Sequence, residues 1–192
     1  MNKDTARKLF QEKRQKITVF RFEQESSQLI QNTINIIKKL NPRCIHCFLP
    51  IQTKQEINTN PIIEYCWSKN IHVVVPISNF DEGTLKSAEF SPNTETKITK
   101  NNIIEPSKPV WQEDHDIDLV ITPLLAFDIK GYRVGYGKGF YDRFFASLRN
   151  DVKRVGISLF SPCEEIENIN EYDIPLTHCI TPKKIYTFSR VL

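Results

Sequence analysis

Glycine is scarce in this chain, with six residues in 192. Equally absent is any apolar run near the roughly 20 residues that a membrane-spanning helix needs, so no membrane partner is expected. The opening residues, from Met1 to Lys8, lack the apolar core of a secretory signal, which points to a cytoplasmic location. The five cysteines are an odd number and do not suit a disulfide framework. Cys44 and Cys47 have C-x-x-C spacing, but no second pair follows at zinc-site spacing. They also lie in a strand-like run, where positions three apart point to opposite faces, so buried thiols are the expectation. His46, His72, His115 and His178 show no ligand-like spacing. No G-x-S-x-G and no Ser/His/Asp set is present, so a protein nucleophile is not expected. No internal repeat or low-complexity linker divides the chain, and residues 1–192 read as one domain, long enough to bury a substantial core. A net charge of +3 is too small to imply nucleic acid.

What glycine there is has been concentrated. Residues 131–143 (Gly131-Tyr-Arg-Val-Gly-Tyr-Gly-Lys-Gly-Phe-Tyr-Asp-Arg143) hold four of the six glycines, with Arg133, Lys138, Arg143 and one carboxylate, Asp142. Clustered glycine suits a chain that must turn tightly or approach a ligand closely. A strand-to-helix turn would use glycine too, but has no need of three cations beside it. Backbone N–H groups of such a loop, opening into a helix, form an anion cradle. Lys138 adds a point charge, Arg133 a planar fork and Asp142 a possible Mg²⁺ ligand. The spacing is neither G-x-G-x-x-G nor a Walker loop. Basic charge gathers in the same region: residues 130–154 carry seven Lys/Arg against two acids, and residues 1–16 carry six against two.

Periodicity predicts a surface helix over 3–16 and a second over 21–40, capped by Thr18 and ended by Asn41-Pro42. Strand-like runs follow at Cys44–Ile51, Ile71–Pro76, Leu85–Phe90, Ile117–Thr122 and Val152–Leu159, with short ones at Cys179–Thr181 and Ile185–Phe188. Helices are expected from Asn60-Pro61 to about Lys69 and over 139–149, while 91–113 reads as polar and irregular. Strands alternating with helices argue for an α/β fold with a largely parallel sheet, whose ligands bind beyond the carboxyl ends of the strands.

The run Leu125–Arg143 closely resembles the signature of the 5-formyltetrahydrofolate cyclo-ligase family, also called 5,10-methenyltetrahydrofolate synthetases. Supporting pieces are the basic segment Lys3 to Lys16, the stretch from Phe48 through Gln52 to Glu56-Ile-Asn-Thr59, Val75-Pro-Ile77 and Asp173-Ile-Pro175. Phe140 departs from the family's usual Tyr. The resemblance implies a three-layer α/β/α sandwich and an ATP- and Mg²⁺-dependent ring closure of 5-formyltetrahydrofolate. By the family pattern, Lys3 and Arg7 reach the nucleotide, Arg7 also lying near the folate. Arg133, Gly135, Tyr136, Gly137, Lys138, Gly139, Phe140 and Tyr141 wrap the phosphates, with Lys138 and Arg133 catalytic. Ile51 and Glu56, with Tyr136 and Phe140, line the folate site, and Asp142 and Asp173 hold Mg²⁺. The partners implied are ATP and folate, met by a monomer. Two other classes stay open: a binding module that keeps the loop without turnover, and a nucleic-acid binder in which Tyr132, Tyr136, Phe140 and Tyr141 interleave with the cations.

Overall fold

The computed structural model describes residues 1–188. Its first two helices are set by their caps. The Asn2 side chain accepts the N–H of Thr5 and starts α1 (Lys3–Gln15), whose last turn carries Lys13 and Arg14. The Thr18 hydroxyl accepts the N–H of Arg21 and starts α2 (Val19–Leu40), which ends on Asn41 in the left-handed conformation just before Pro42.

The chain then enters its principal sheet at β1 (Cys44–Cys47), crosses through α3 (Asn60–Ser68), which has Pro61 in its first turn, and returns as β2 (His72–Asn79). A hairpin leads to β3 (Thr84–Glu89). Next come β4 (Thr96–Ile98) and β5 (Ile104–Pro106), which pair only with each other, and β6 (Trp111–Gln112) on the sheet edge. β7 (Leu119–Pro123), the small hairpin β8 (Ala126–Phe127) and β9 (Arg133–Val134), α4 (Phe140–Ser147), β10 (Lys153–Ile157), β11 (His178–Ile180) and β12 (Ile185–Thr187) complete the described fold.

The eight-stranded sheet has the order β12-β11-β10-β7-β1-β2-β3-β6. Its centre is parallel, from β11 through β10, β7 and β1 to β2, and the pairs at either end are antiparallel. One face is covered by α2 and α3, through Leu29, Ile37, Ile62, Ile63 and Cys66 against Ile45, Val75 and Ile121. The other is covered by α4 and the neighbouring loops, through Phe144 and Phe145 against Val74, Val120 and Cys179. This is the expected three-layer α/β/α sandwich with a largely parallel sheet. Cys44 and Cys47 fall into opposite clusters, as strand alternation requires, and both are buried. Burial pushes the Cys44 thiol up to about 12, so it is an inert core group.

Some boundaries differ from the sequence reading. The strand expected to reach Ile51 ends at Cys47, and Phe48–Ile51 becomes a loop lining a cavity. Residues 91–113 are not irregular throughout: they hold β4, β5 and β6. These segments are two or three residues long, too short for side-chain alternation to mark them: β4 and β5 pair with each other as a local hairpin, and β6 takes its partner from the distant β3. The linker before the glycine loop is itself the β8–β9 hairpin.

The topology fixes where a ligand can sit. From β1 the crossover runs to β2 on one side, whereas the strand on the other side is β7. The carboxyl ends of β1 and β7 therefore flank a switch point, where open α/β sheets leave a crevice. Phe48, Leu49 and Pro123 line that crevice.

Candidate functional site

The glycine loop is held from behind before it reaches the crevice. Asp128, fully buried, accepts N–H bonds from Lys130, Tyr132 and Ile166, which fixes the β8–β9 turn. The chain leaves β9 into Gly135–Gly139. Gly137 and Gly139 have φ of +88° and +67°, a region that L side chains rarely adopt. Gly137 also lies under Arg7, where an added Cβ would stand 3.3 Å from the guanidinium. Arg7 Nε donates to the carbonyl of Gly135 at 3.1 Å, docking α1 on the loop. Gly139 caps α4 with no side chain, so the helix presents its first-turn N–H groups toward the loop. Lys138 is exposed and has no ion-pair partner among the described residues.

The two carboxylates expected at a metal stand together with cations. Asp142 Oδ1 accepts from Arg133 Nη2 at 2.7 Å and from the N–H of Ile174 at 3.2 Å. Asp173, one residue earlier in that second segment, accepts from Lys3 Nζ at 2.5 Å and from the N–H of Asn170 at 2.7 Å. No cluster of three or more metal-ligating side chains occurs among the described residues. Two carboxylates with oxygens to spare do fit Mg²⁺, which takes one or two carboxylates and completes its shell with phosphate and water. Arg133, expected among the phosphate-wrapping residues, lines the cavity and is also held by protein groups. Its side chain is 6% exposed, it donates to the Ile174 carbonyl at 2.5 Å, and its guanidinium sits 4.5 Å from the centre of the Phe145 ring. Burial lowers its pKa, with Asp142 opposing. Its immediate work is to lock Asp142 to the 173–174 segment.

A third group surrounds Glu56. Its Oε2 accepts the N–H of Ile51 at 2.8 Å, and its Oε1 accepts the hydroxyl of Tyr136 at 2.9 Å. Burial raises the Glu56 pKa, opposed by those two hydrogen bonds and by the charges of Arg14 and Lys54. Nearby, Phe80 from the β2–β3 turn meets Phe140 edge to face at 5.3 Å. Arg143 ties that turn to the glycine loop by donating to the carbonyls of Gly83 and Lys138, each at 2.6 Å. One cavity of about 1190 Å³ joins all three groups.

Every residue proposed from sequence for nucleotide, folate or metal lines this cavity: Lys3, Arg7, Ile51, Glu56, the loop from Arg133 to Tyr141, Asp142 and Asp173. His46 does not join them. It is fully buried against Phe144 and Tyr141, and burial drives its pKa down to about 3, so it is a neutral core group. The sequence reading missed Phe80, Arg14 and the joining role of Arg143. Arg14 had a signal, since Lys3, Arg7, Phe10 and Arg14 recur at helical spacing on one face of α1. Phe80 had none, because its partner lies sixty positions on.

A largely parallel α/β sheet with a glycine loop beside its switch point places the protein among the open α/β folds, whose ligand crevices lie at such points. More narrowly, the chain belongs to the 5-formyltetrahydrofolate cyclo-ligase family, a family of ligases whose profile matches residues 1–182. It is similar to a 5-formyltetrahydrofolate cyclo-ligase of Haemophilus influenzae, 29% identical over 168 residues (85% of this chain, 88% of the relative). A protein of the same description from Escherichia coli strain K12 is 33% identical over 136 residues, 68% of this chain and 74% of the relative. The fold is that of a 5,10-methenyltetrahydrofolate synthetase from Aquifex aeolicus, with a TM-score of 0.81, 24% identity, and coverage of 100% of this chain and 96% of the other. A second such structure, from Mycoplasma pneumoniae, gives 0.77 at 21% identity, covering 95% of this chain and 99% of that one.

Proposed function

We propose that this chain closes the ring of 5-formyltetrahydrofolate to 5,10-methenyltetrahydrofolate at the expense of ATP. The observation that carries the reading is one cavity in which a cationic glycine loop adjoins a half-buried carboxylate–tyrosine pair. The formyl oxygen attacks the γ-phosphorus, a P–O bond forms and ADP departs. The neighbouring amine nitrogen then attacks the formyl carbon and loses its proton, and the C–O bond breaks to release phosphate. Phosphorylation is needed because an amide oxygen is a poor leaving group. In such transfers the protein contributes positioning and charge stabilisation.

In this reading Lys138 meets the transferring phosphoryl group, helped by the first-turn N–H groups of α4. Arg7 holds the nucleotide from α1, and Lys3 exchanges its Asp173 partner for phosphate. Asp142 and Asp173 would hold Mg²⁺, which supplies neutralisation of phosphate charge. Ile51, Phe140 and Tyr136 shape the folate side, and Glu56 accepts N–H groups from the pterin edge. All of these residues come from one chain, so a monomer is sufficient.

The test is the ATP-dependent appearance of the methenyl product, followed by its near-ultraviolet absorbance with 5-formyltetrahydrofolate and Mg²⁺. A rise only with ATP is expected. Nucleotide binding without product would make the chain a binding module, and neither binding nor product would remove the reading.

A further inference from the structure

Arg14 is a buried cation that no part of the proposed chemistry yet uses. It is 8% exposed and sits at the end of α1, away from Lys3 and Arg7 at its start. Nη2 donates to the carbonyl of Leu124, just past β7, at 2.8 Å. Nη1 reaches the hydroxyl oxygen of Tyr136 at 3.3 Å and the carbonyl of Lys54 at 3.4 Å. Nε has no partner among the described residues. A guanidinium carries five donors, and burying it incompletely satisfied is costly. An apolar side chain would serve stability as well or better at such a place. Each hydrogen-bond partner of Arg14 belongs to a segment bordering the cavity, which assigns it a role there.

We infer that Arg14 is a positioning residue that turns the Tyr136 hydroxyl toward Glu56 and thereby keeps the Glu56 carboxylate an acceptor for the pterin end of the folate. This rests on the proposed function. A tyrosine hydroxyl has one proton. When Arg14 donates to its oxygen, that proton is directed to the remaining partner, Glu56 Oε1, 2.9 Å away. Oε2 is fixed by Ile51, and the other lone pairs of the carboxylate stay open to the cavity. The charged and titratable groups facing Glu56 are Arg14 from α1, Lys54 from the short 3₁₀ turn Gln52–Lys54, Tyr136 from the glycine loop and Tyr141 from α4. Arg14 and Lys54 favour the ionised carboxylate against its burial. Of these two, Arg14 hydrogen-bonds the tyrosine hydroxyl, whereas Lys54 lies 5.7 Å over the face of its ring.

The experiment compares wild type with Arg14→Met, Arg14→Lys, Tyr136→Phe and the Arg14→Met/Tyr136→Phe double variant. Three quantities are read: the Kd for 5-formyltetrahydrofolate, the Kd for Mg·ATP, and the Glu56 carboxyl titration by NMR without ligand. Arg14→Met is expected to weaken folate about tenfold, the scale of one charge-assisted hydrogen bond, and to leave Mg·ATP within about twofold. It raises the Glu56 pKa, so the acid limb of folate binding moves to higher pH. Arg14→Lys restores the charge and returns the titration toward wild type even where it restores geometry poorly. With Phe at 136, removing Arg14 costs folate binding little further. An unmoved Glu56 titration, equal losses for folate and Mg·ATP, or additive losses in the double variant would overturn the inference. If Arg14→Met does not fold, Arg14→Lys and Tyr136→Phe decide on the same criteria. A wild type that binds no folate sinks the functional reading itself, a result distinct from a wild type that binds folate indifferently to Arg14.

Discussion

Lys138 and Glu56 border one cavity, and the fold prepares them in different ways. Lys138 stands exposed on a loop held from behind by Arg7 and Arg143, with no ion pair of its own among the described residues. Glu56 is enclosed, both of its oxygens engaged by donors, with Arg14 charge behind them. A polyanion brings enough charge to pay for ordering an exposed lysine on arrival. A neutral heterocycle does not, so under the proposed function the group that would read its N–H edge is fixed in advance. The exposed region is therefore the place to lose turnover, and the enclosed region the place to lose selectivity.

The largest effect expected is on the exposed side. Lys138→Ala should lower kcat by about a hundredfold or more, the scale for removing one preorganised electrostatic contact, with folate Kd little changed. Near-normal turnover would take Lys138 out of the chemistry. Asp142→Asn should shift the Mg²⁺ titration of turnover to higher concentrations and loosen the 173–174 segment. An unchanged titration would leave Asp142 only its bonds to Arg133 and Ile174.

On the enclosed side, Glu56→Gln should raise the KM for folate about tenfold, the scale of one charge-assisted hydrogen bond, and leave that for ATP near its starting value. It should also change stability with a definite sign. The Glu56 pKa is raised from 4.5 in the folded protein, with burial the chief cause. A raised pKa gives stability that is present below 4.5 and lost as pH rises through the folded value. Gln keeps both contacts, since the tyrosine hydroxyl can turn from donor to acceptor, and it has no charge to desolvate. The variant should therefore melt higher than wild type at pH 7, and the two should converge in acid. A variant that melts lower at pH 7 would show that the hydrogen bonds outweigh the burial. The smallest effect on the site is expected from Gly156→Ala. An added Cβ there would stand 2.6 Å from Leu124 Cδ2 and Leu176 Cδ1 in the core, costing about 1–3 kcal/mol of stability. Ligand affinities measured below its melting transition should hold, which would separate packing from site geometry.

Much of the fold was legible because long elements carry their own periodicity. The amphipathic α2, the Pro61 start of α3 and the buried strand now numbered β7 follow from residues within one or two turns of each other. The glycine loop was legible for a different reason: four of six glycines with three cations have few purposes. The β4–β5 hairpin and β6 were not, because strands of two or three residues are too short to show alternation, and β6 takes its partner from the distant β3. The folate side was half legible. Glu56 is one loop carboxylate among 23 acidic residues, and only its enclosure by Ile51 and Tyr136 distinguishes it.

By itself the sequence determined the long elements, the alternation that makes an α/β sandwich, the clustering of glycine and cations in residues 131–143 and the family. All of these rest on interactions between near neighbours or on residue type alone. Only the tertiary structure decided which groups meet. Lys3 finds Asp173 across 170 positions, and Arg14 finds Tyr136 across 122. Such pairings depend on the order in which strands are laid beside one another. That order is fixed by the burial of both sheet faces as a whole, a global sum that no local pattern of residues expresses.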